Sequence, residues 1–302
     1  MIRYSLLGRT LVYTFQPQKK RSQFRIKLGC LFYTLKRYFY WIKFSTHFAK
    51  IPACYKTKEG LDFTKIKQDF PYEVFYHSTP LYRNLSKEDM ELQDGKVNNL
   101  LIAHKKISGV VIKPGKLFSY WKLIGNPTTF RGYKKGMVLH NGKPESGIGG
   151  GLCGISNLIY WIILHSPLSV KERWRHSYDV FPDSNRTLPF GSGATCVYNY
   201  RDLMFLNETK DDYILLISIE NNRMQGQLLC SSPVKTKYEV YEKDASITME
   251  GPGIYVRHNS LWRKTYLKNE NGDEVLQDDV LITENHALMM YNPMLSYDKN
   301  NK

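Results

Sequence analysis

Acidic residues are absent from the first fifty positions, although the 302-residue chain holds 28 of them. The same stretch carries eleven Lys and Arg, so +11 of the formal net charge of +15 sits there and the rest is nearly balanced. Long apolar runs are missing too. The longest, Ile155 to Leu164, is about half the roughly 18–20 residues of a spanning helix and contains Ser156 and Asn157, which argues against an ordinary membrane-embedded protein. Cysteine is scarce: five residues at irregular spacing fit neither a disulfide scaffold nor a metal-ligand pattern, and no cofactor is expected. Repeats and low-complexity segments are lacking. A hydrophobic share of 42% with 24% charged residues is that of a globular protein and excludes collagen, coiled coil and general disorder.

What the basic segment does contain is aromatic: twelve Phe, Tyr and Trp, including Tyr38-Phe39-Tyr40-Trp41. Leu28, Leu31, Phe32, Leu35, Phe39 and Ile42 recur at helical spacing, while Lys36, Lys43 and Lys50 repeat every seven. Such a helix can lie on an anionic membrane surface, Trp41 at the headgroups and Lys36, Arg37 and Lys43 toward lipid phosphates. It can equally pack its apolar stripe on the body and leave the cations solvated. Nucleic acid is not an expected partner, because no fold signature accompanies the charge. Arg9 interrupts the first apolar stretch and no small-residue cleavage site follows, so a secretory signal is not read here. The expected location is cytoplasmic or peripheral on the inner face of the membrane, and free thiols fit that compartment.

Along the chain, the pattern divides into the basic segment 1–50, a helical lead-in 51–108, a core 109–235 and a β-rich extension 236–302. Ser86 to Lys106 reads as a helix with Met90, Val97, Leu100, Leu101 and His104 on one stripe. Val110 to Ile112 reads as a buried strand. Ile155 to Leu164, apolar almost all round, reads as a central buried helix. Strands follow: Val170 to Trp174, Cys196 to Tyr198, Leu203 to Phe205, Tyr213 to Ile219, and alternating stretches over 237–290 with Asn271-Gly272 as a hairpin turn. Helices first and strands later imply an α+β fold with a mainly antiparallel sheet.

The most informative stretch is Gly149-Gly150-Gly151-Leu152-Cys153-Gly154-Ile155-Ser156-Asn157. Glycines before a helix permit positive φ and close backbone approach, leaving Cys153 at the first turn. Unpaired N–H groups and the helix dipole there favour a thiolate and suit an oxyanion. Cys153 is thus a candidate nucleophile, with Gly149, Gly150, Gly151, Gly154, Ser156 and Asn157 as the candidate substrate and oxyanion region. A buried cysteine in a packed glycine corner is the bland alternative. Gly149-x-Gly151-x-x-Gly154 formally fits a dinucleotide fingerprint, but no strand runs directly into it and no parallel βαβ pattern follows.

A thiol nucleophile needs a base. His165 lies about 18 Å along the same helix and suits its C-terminal carbonyls instead. His47, His77, His104, His258 and His286 read as surface or packing residues. His176 is favoured over His140, with Asp179, Asp183 and Asp202 downstream as orienting acids, although Asp202 serves a turn or ion pair equally well. Cys196 and Cys230 read as core.

At these residues the sequence resembles the VanW family, from about Phe70 to Tyr241. The motifs are Val111-Ile112-Lys113-Pro114-Gly115-Lys116-Leu117-Phe118-Ser119-Tyr120-Trp121, Gly149 to Cys153, Ser156 to Trp161, Arg175 to Pro182 and Gly193 to Leu203. The resemblance implies an association with glycopeptide resistance. Through exported relatives, it also implies an L,D-transpeptidase-like acyl transfer in which a cysteine matching Cys153 forms a thioester with a peptidoglycan precursor or stem peptide. The family has Gln after this cysteine and exported relatives have Asp further on, where this chain has Gly154 and Gly193. Two functions are thus expected: a cysteine acyltransferase with Cys153, His176 and Asp202, or a non-catalytic accessory protein at the membrane surface binding a cell-wall precursor or protein partner.

Overall fold

The computed structural model describes residues 2–7, 10–15, 22–82, 87–140, 142–175, 178–180 and 188–293. The chain divides into two compact units, residues 1–43 and 44–302.

The first unit holds an antiparallel hairpin of β1 (Ile2–Leu7) and β2 (Thr10–Phe15), followed by helix α1 (Gln23–Lys43). At 100° per residue, Phe24, Leu28, Leu31, Leu35, Phe39 and Ile42 fall within one narrow stripe of α1, and all are exposed. Lys36 and Lys43 are exposed beside it. Trp41 differs from these neighbours in being buried, so Tyr38 and Phe39 carry the aromatic surface.

The second unit begins with α2 (Phe63–Asp69), N-capped by the Asp62 carboxylate, and β3 (Tyr72–Pro80). Helix α3 (Lys87–Ile107), β4 (Val110–Ile112), β5 (Leu117–Ser119) and the short helix α4 (Tyr120–Ile124) follow. The hairpin β6 (Lys135–His140) and β7 (Lys143–Ile148) leads through the glycine turn into α5 (Cys153–Leu164). Then come β8 (Ser169–Glu172), β9 (Tyr178–Asp179), β10 (Met204–Leu206), β11 (Tyr213–Glu220) and β12 (Arg223–Cys230). The chain closes with three long strands, β13 (Thr236–Gly251), β14 (Ile254–Lys268) and β15 (Glu274–Met289).

The central sheet is antiparallel, in the order β3-β12-β11-β4, and carries helices on both faces. Val111, Ile214 and Leu229 lie side by side in it and pack against Tyr55, Ile66 and Phe70 on one face. On the other side α5 lies over β12 and β3, and α3 over β11 and β6. Nine of the residues of α5 are buried, so this helix is the centre of the unit. Each fully buried Ile or Leu in it contributes about 1.5–3 kcal/mol. A smaller sheet, β5-β10-β8, is antiparallel, and the C-terminal sheet β13-β14-β15 takes up β9 as its one parallel neighbour. The fold is α+β, with mainly antiparallel sheets.

Three expectations change in detail. Met90 and Leu101 are exposed on α3, while Gln93, Asn99, Leu100 and Ala103 face inward, because Asn99 has backbone partners there. Cys196 to Tyr198 is not a strand: Val197 bridges Arg201 and closes a tight turn. The strand expected over Val170 to Trp174 is β8 (Ser169–Glu172), which ends two residues earlier.

Candidate active site around Cys153

Cys153 is the first residue of α5 and is half-buried. The turn in front of it folds back on β6. A Cβ on Gly150 would stand 2.1 Å from the Gly136 carbonyl oxygen, and one on Gly136 would stand 2.6 Å from that of Gly150, so neither position admits a side chain. Gly149 and Gly151 take positive φ of 73° and 86° on either side, which makes the reversal possible.

Side chains from three other elements fix this turn. Asn99 on α3, fully buried, donates to the carbonyls of Gly150 (2.9 Å) and Lys134 (3.0 Å) and accepts from the Lys134 N–H (2.8 Å). Tyr120, also fully buried, donates to the Leu152 carbonyl at 2.7 Å. Ser156, one turn along α5, donates to the carbonyls of Cys153 (3.1 Å) and Ala194 (2.7 Å). Asn157 accepts the Ala194 N–H at 2.8 Å. A Cβ on Gly193 would meet Asn157 Oδ1 at 2.6 Å, which accounts for glycine here. Ser156 and Asn157 thus hold the segment 193–196 across the start of the helix.

That segment reaches the sulfur. The Cys153 thiol donates to the Cys196 carbonyl at 3.6 Å. Burial pushes the thiol above its ordinary pKa, while backbone groups of Cys196 and of Cys153 itself pull the other way. The helix-dipole argument by itself favours a thiolate, but desolvation of the sulfur outweighs it. Cys196 is buried, and its thiol is pushed up strongly by burial and by the neighbouring Cys153.

Part of the expected oxyanion region is already used. The Gly154 N–H bonds the Gly151 carbonyl (2.9 Å) and the Ile155 N–H that of Leu152 (3.1 Å), a tight first turn. The N–H groups of Leu152 and Cys153 have no backbone acceptor among the described residues.

Asp202 is fully buried, and its carboxylate accepts from the Ser119 hydroxyl (2.6 Å) and the N–H groups of Trp121 (3.0 Å) and Leu203 (2.9 Å). It joins the start of α4 to β10. Asp179 pairs with Arg257 at 2.8 Å and accepts from Tyr291. His176 and Asp183 lie outside the described residues, as does the side chain of His140. His165 caps the far end of α5: it stacks on Phe75 with centroids 4.0 Å apart and its Nδ1 bonds the Trp161 carbonyl. Close to Cys196 in the chain, Thr195 Oγ1 and both polar side-chain atoms of Asn199 are buried without a partner among the described residues. Asn99, Ser119 and Tyr120 are positioning residues that the sequence reading passed over.

Among the described residues no group of three or more His, Cys, Asp or Glu is placed to hold a metal. No helix among them is long and apolar enough to cross a membrane.

A family model described as VanW like protein matches residues 95–229, which include Asn99, Tyr120, the glycine turn, α5 and the segment 193–196. The chain is 32% identical over 189 residues to the Vancomycin B-type resistance protein VanW of Enterococcus faecalis (strain ATCC 700802 / V583), covering 63% of this chain and 69% of that protein. It is 27% identical over 132 residues to the uncharacterized protein YoaR of Bacillus subtilis (strain 168), covering 44% of this chain and 41% of that one. No solved structure matches. On the matched core and the extent of the likeness to the Enterococcus protein, this chain belongs to the VanW family.

Proposed function

We propose that this protein is a cysteine-dependent acyltransferase acting on a peptidoglycan-type peptide, in the setting of glycopeptide resistance that the name of its Enterococcus relative indicates. The observation that carries the reading is the half-buried Cys153 at the start of the buried helix α5, on a turn fixed by Asn99, Tyr120 and Ser156. Pre-organisation of this kind lowers the cost of bringing nucleophile and carbonyl together.

In the proposed reaction the Cys153 sulfur attacks the peptide carbonyl carbon while its proton passes to an imidazole, assigned to His176. The N–H groups of Leu152 and Cys153 receive the oxyanion. Collapse of the tetrahedral species breaks the C–N bond, and the departing amine takes the proton, leaving a thioester. An acceptor amine then attacks the thioester, the thiol is regenerated and a new amide forms. The exposed apolar stripe and flanking lysines of α1 support a location on an anionic membrane surface, on its cytoplasmic side.

A second reading, binding of a precursor or protein partner without chemistry, is favoured by the raised thiol pKa of Cys153. Mass spectrometry of the intact protein incubated with stem peptides separates the two. A hydroxylamine-labile adduct on Cys153, absent from Cys153→Ala, is expected of the acyltransferase. Saturable peptide binding with no adduct would replace it by the binding reading.

A further inference from the structure

Two of the five cysteines meet at the start of α5. The Cys153 thiol donates to the Cys196 carbonyl at 3.6 Å, and within a residue the carbonyl and the side chain are only a few bonds apart. The Cys196 side chain turns to the same helical turn. Ser156 Oγ, which donates to the Cys153 carbonyl at 3.1 Å, lies within hydrogen-bond reach of the Cys196 sulfur. Charge on either sulfur opposes ionisation of the buried Tyr120 hydroxyl, and charge on Cys153 opposes ionisation of Cys196. The two sulfurs thus share one small buried region beside Tyr120 and Ser156. The other thiols are engaged elsewhere or open to solvent: Cys230 on β12 accepts from the Ser232 N–H at 3.5 Å, and Cys30 and Cys54 are exposed.

The pair is unequal. Cys153 is half-buried and Cys196 only 7% exposed, so a small reagent meets the first sulfur and not the second. Cys153 is fixed by the helix it begins, whereas Cys196 belongs to no helix or strand. Its segment is held by single hydrogen bonds, among them those of Ser156 and Asn157 to Ala194 and of the Thr195 N–H to the Trp174 carbonyl. A disulfide requires the two Cβ atoms to stand about 3.5–4.5 Å apart. The segment 193–196, without a ladder of its own, is the part that adjusts to that distance.

We propose that Cys153 and Cys196 form an intramolecular disulfide, in which Cys153 is oxidised first and Cys196 resolves it. With a small disulfide as the oxidant, the Cys153 thiolate attacks one of its sulfurs, the S–S bond breaks and one thiolate leaves, giving a mixed disulfide on Cys153. The Cys196 thiolate then attacks the Cys153 sulfur and expels the second small thiolate. The two protons lost by the protein end on the two departing thiolates. Two protein thiols are thereby oxidised to one disulfide, and one small disulfide is reduced to two thiols. Burial disfavours both protein thiolates, so the reaction quickens as pH rises. The bond withdraws the sulfur on which the proposed acyl transfer depends; that consequence rests on the acyltransferase reading, and the bond itself does not.

The full-length protein carrying Cys30→Ser and Cys54→Ser, treated with 2-hydroxyethyl disulfide at about pH 8.5 and then freed of it, tests this. A mass lower by about 2 Da is expected, with a non-reducing peptide map that joins the peptides of Cys153 and Cys196. Labelling of Cys153 by iodoacetamide is expected to fall about tenfold or more and to return with dithiothreitol. Cys196→Ala in the same background is expected to stop at the mixed disulfide on Cys153, with circular dichroism checking its fold. A mixed disulfide that persists on Cys153 while Cys196 stays a free thiol, a bond from Cys153 to Cys230, or no modification of Cys153 at all overturns the proposal. Absence of a stem-peptide adduct would remove the acyltransferase reading and leave the disulfide standing.

Discussion

The Ser156 hydroxyl donates to the Ala194 carbonyl at 2.7 Å, and this bond holds the segment that lies against the Cys153 sulfur. Ser156→Ala removes it from a fully buried site and leaves the carbonyl unpaired. A loss of about 1–2 kcal/mol in urea unfolding is expected, with faster alkylation of Cys153 as the covering segment loosens. Unchanged alkylation would separate the hydroxyl from control of the thiol.

The thiol itself has internal controls. Cys30 and Cys54 are exposed, whereas burial raises the pKa of Cys153. A raised pKa means less thiolate at any pH below it, so iodoacetamide at pH 8 is expected to label Cys153 more slowly than either, with the gap narrowing as pH rises. Peptide mapping reads all three in one sample. Labelling of Cys153 first at pH 7 would show a base already acting on it without substrate.

Glycines around the cysteine are not equivalent. A Cβ on Gly154 has its nearest contact, Leu100 Cδ2, at an ordinary 3.7 Å, and the position is helical. Gly154→Ala is expected to stabilise the protein by about 0.5–1 kcal/mol, and Gly154→Gln, the family's usual residue, to fold normally. Gly150→Ala, with a backbone oxygen in the way, is expected to lower the melting temperature sharply. Thermal unfolding of the three variants gives the order.

At the other end of α5, burial pushes the His165 pKa down to about 4. The unfolded chain takes up this proton near pH 6.5 and the native state does not, so the unfolded state binds more protons between those values. Stability from this group is therefore full above pH 6.5 and lost as pH falls toward 4, by about 3 kcal/mol in all. His165→Phe, which keeps a ring against Phe75, is expected to flatten that slope in denaturation midpoints measured from pH 7 to 4. An unchanged slope would assign it to other groups.

Co-sedimentation with vesicles tests the surface of α1. Binding is expected to require anionic lipid and to weaken as salt rises from 0.05 to 0.5 M, because screening shortens the reach of Lys36 and Lys43. Equal binding to neutral vesicles, or none to either kind, would remove the membrane from the proposed function.

How much of this was legible depended on whether the causes were local. Helix α5 showed in the sequence because a run that is apolar on nearly every side has one stable place, the middle. The buried strand β4 and the turn at Asn271-Gly272 showed for similar reasons. The inward face of α3 did not, since it turns on Asn99 finding the carbonyls of Lys134 and Gly150 far along the chain. Cys196 to Tyr198 has strand-like residues, yet the bonds among Val197, Tyr200 and Arg201 bend it into a turn. At the site, the cysteine and its glycines could be found from spacing. Tyr120 and the true work of Ser156 and Asn157 could not, because their partners are set by packing. His258 and His286 pair through a strand register that their separation in sequence does not disclose.

Gly136 and Gly150 each lack a side chain for the other's sake. For heredity the two positions are therefore one character. A first replacement at either is penalised whichever residue arrives, and a second at the other relieves nothing, because both collisions are with main chain. No path of single steps leads away from this corner, and descendants that keep the turn before Cys153 must inherit both.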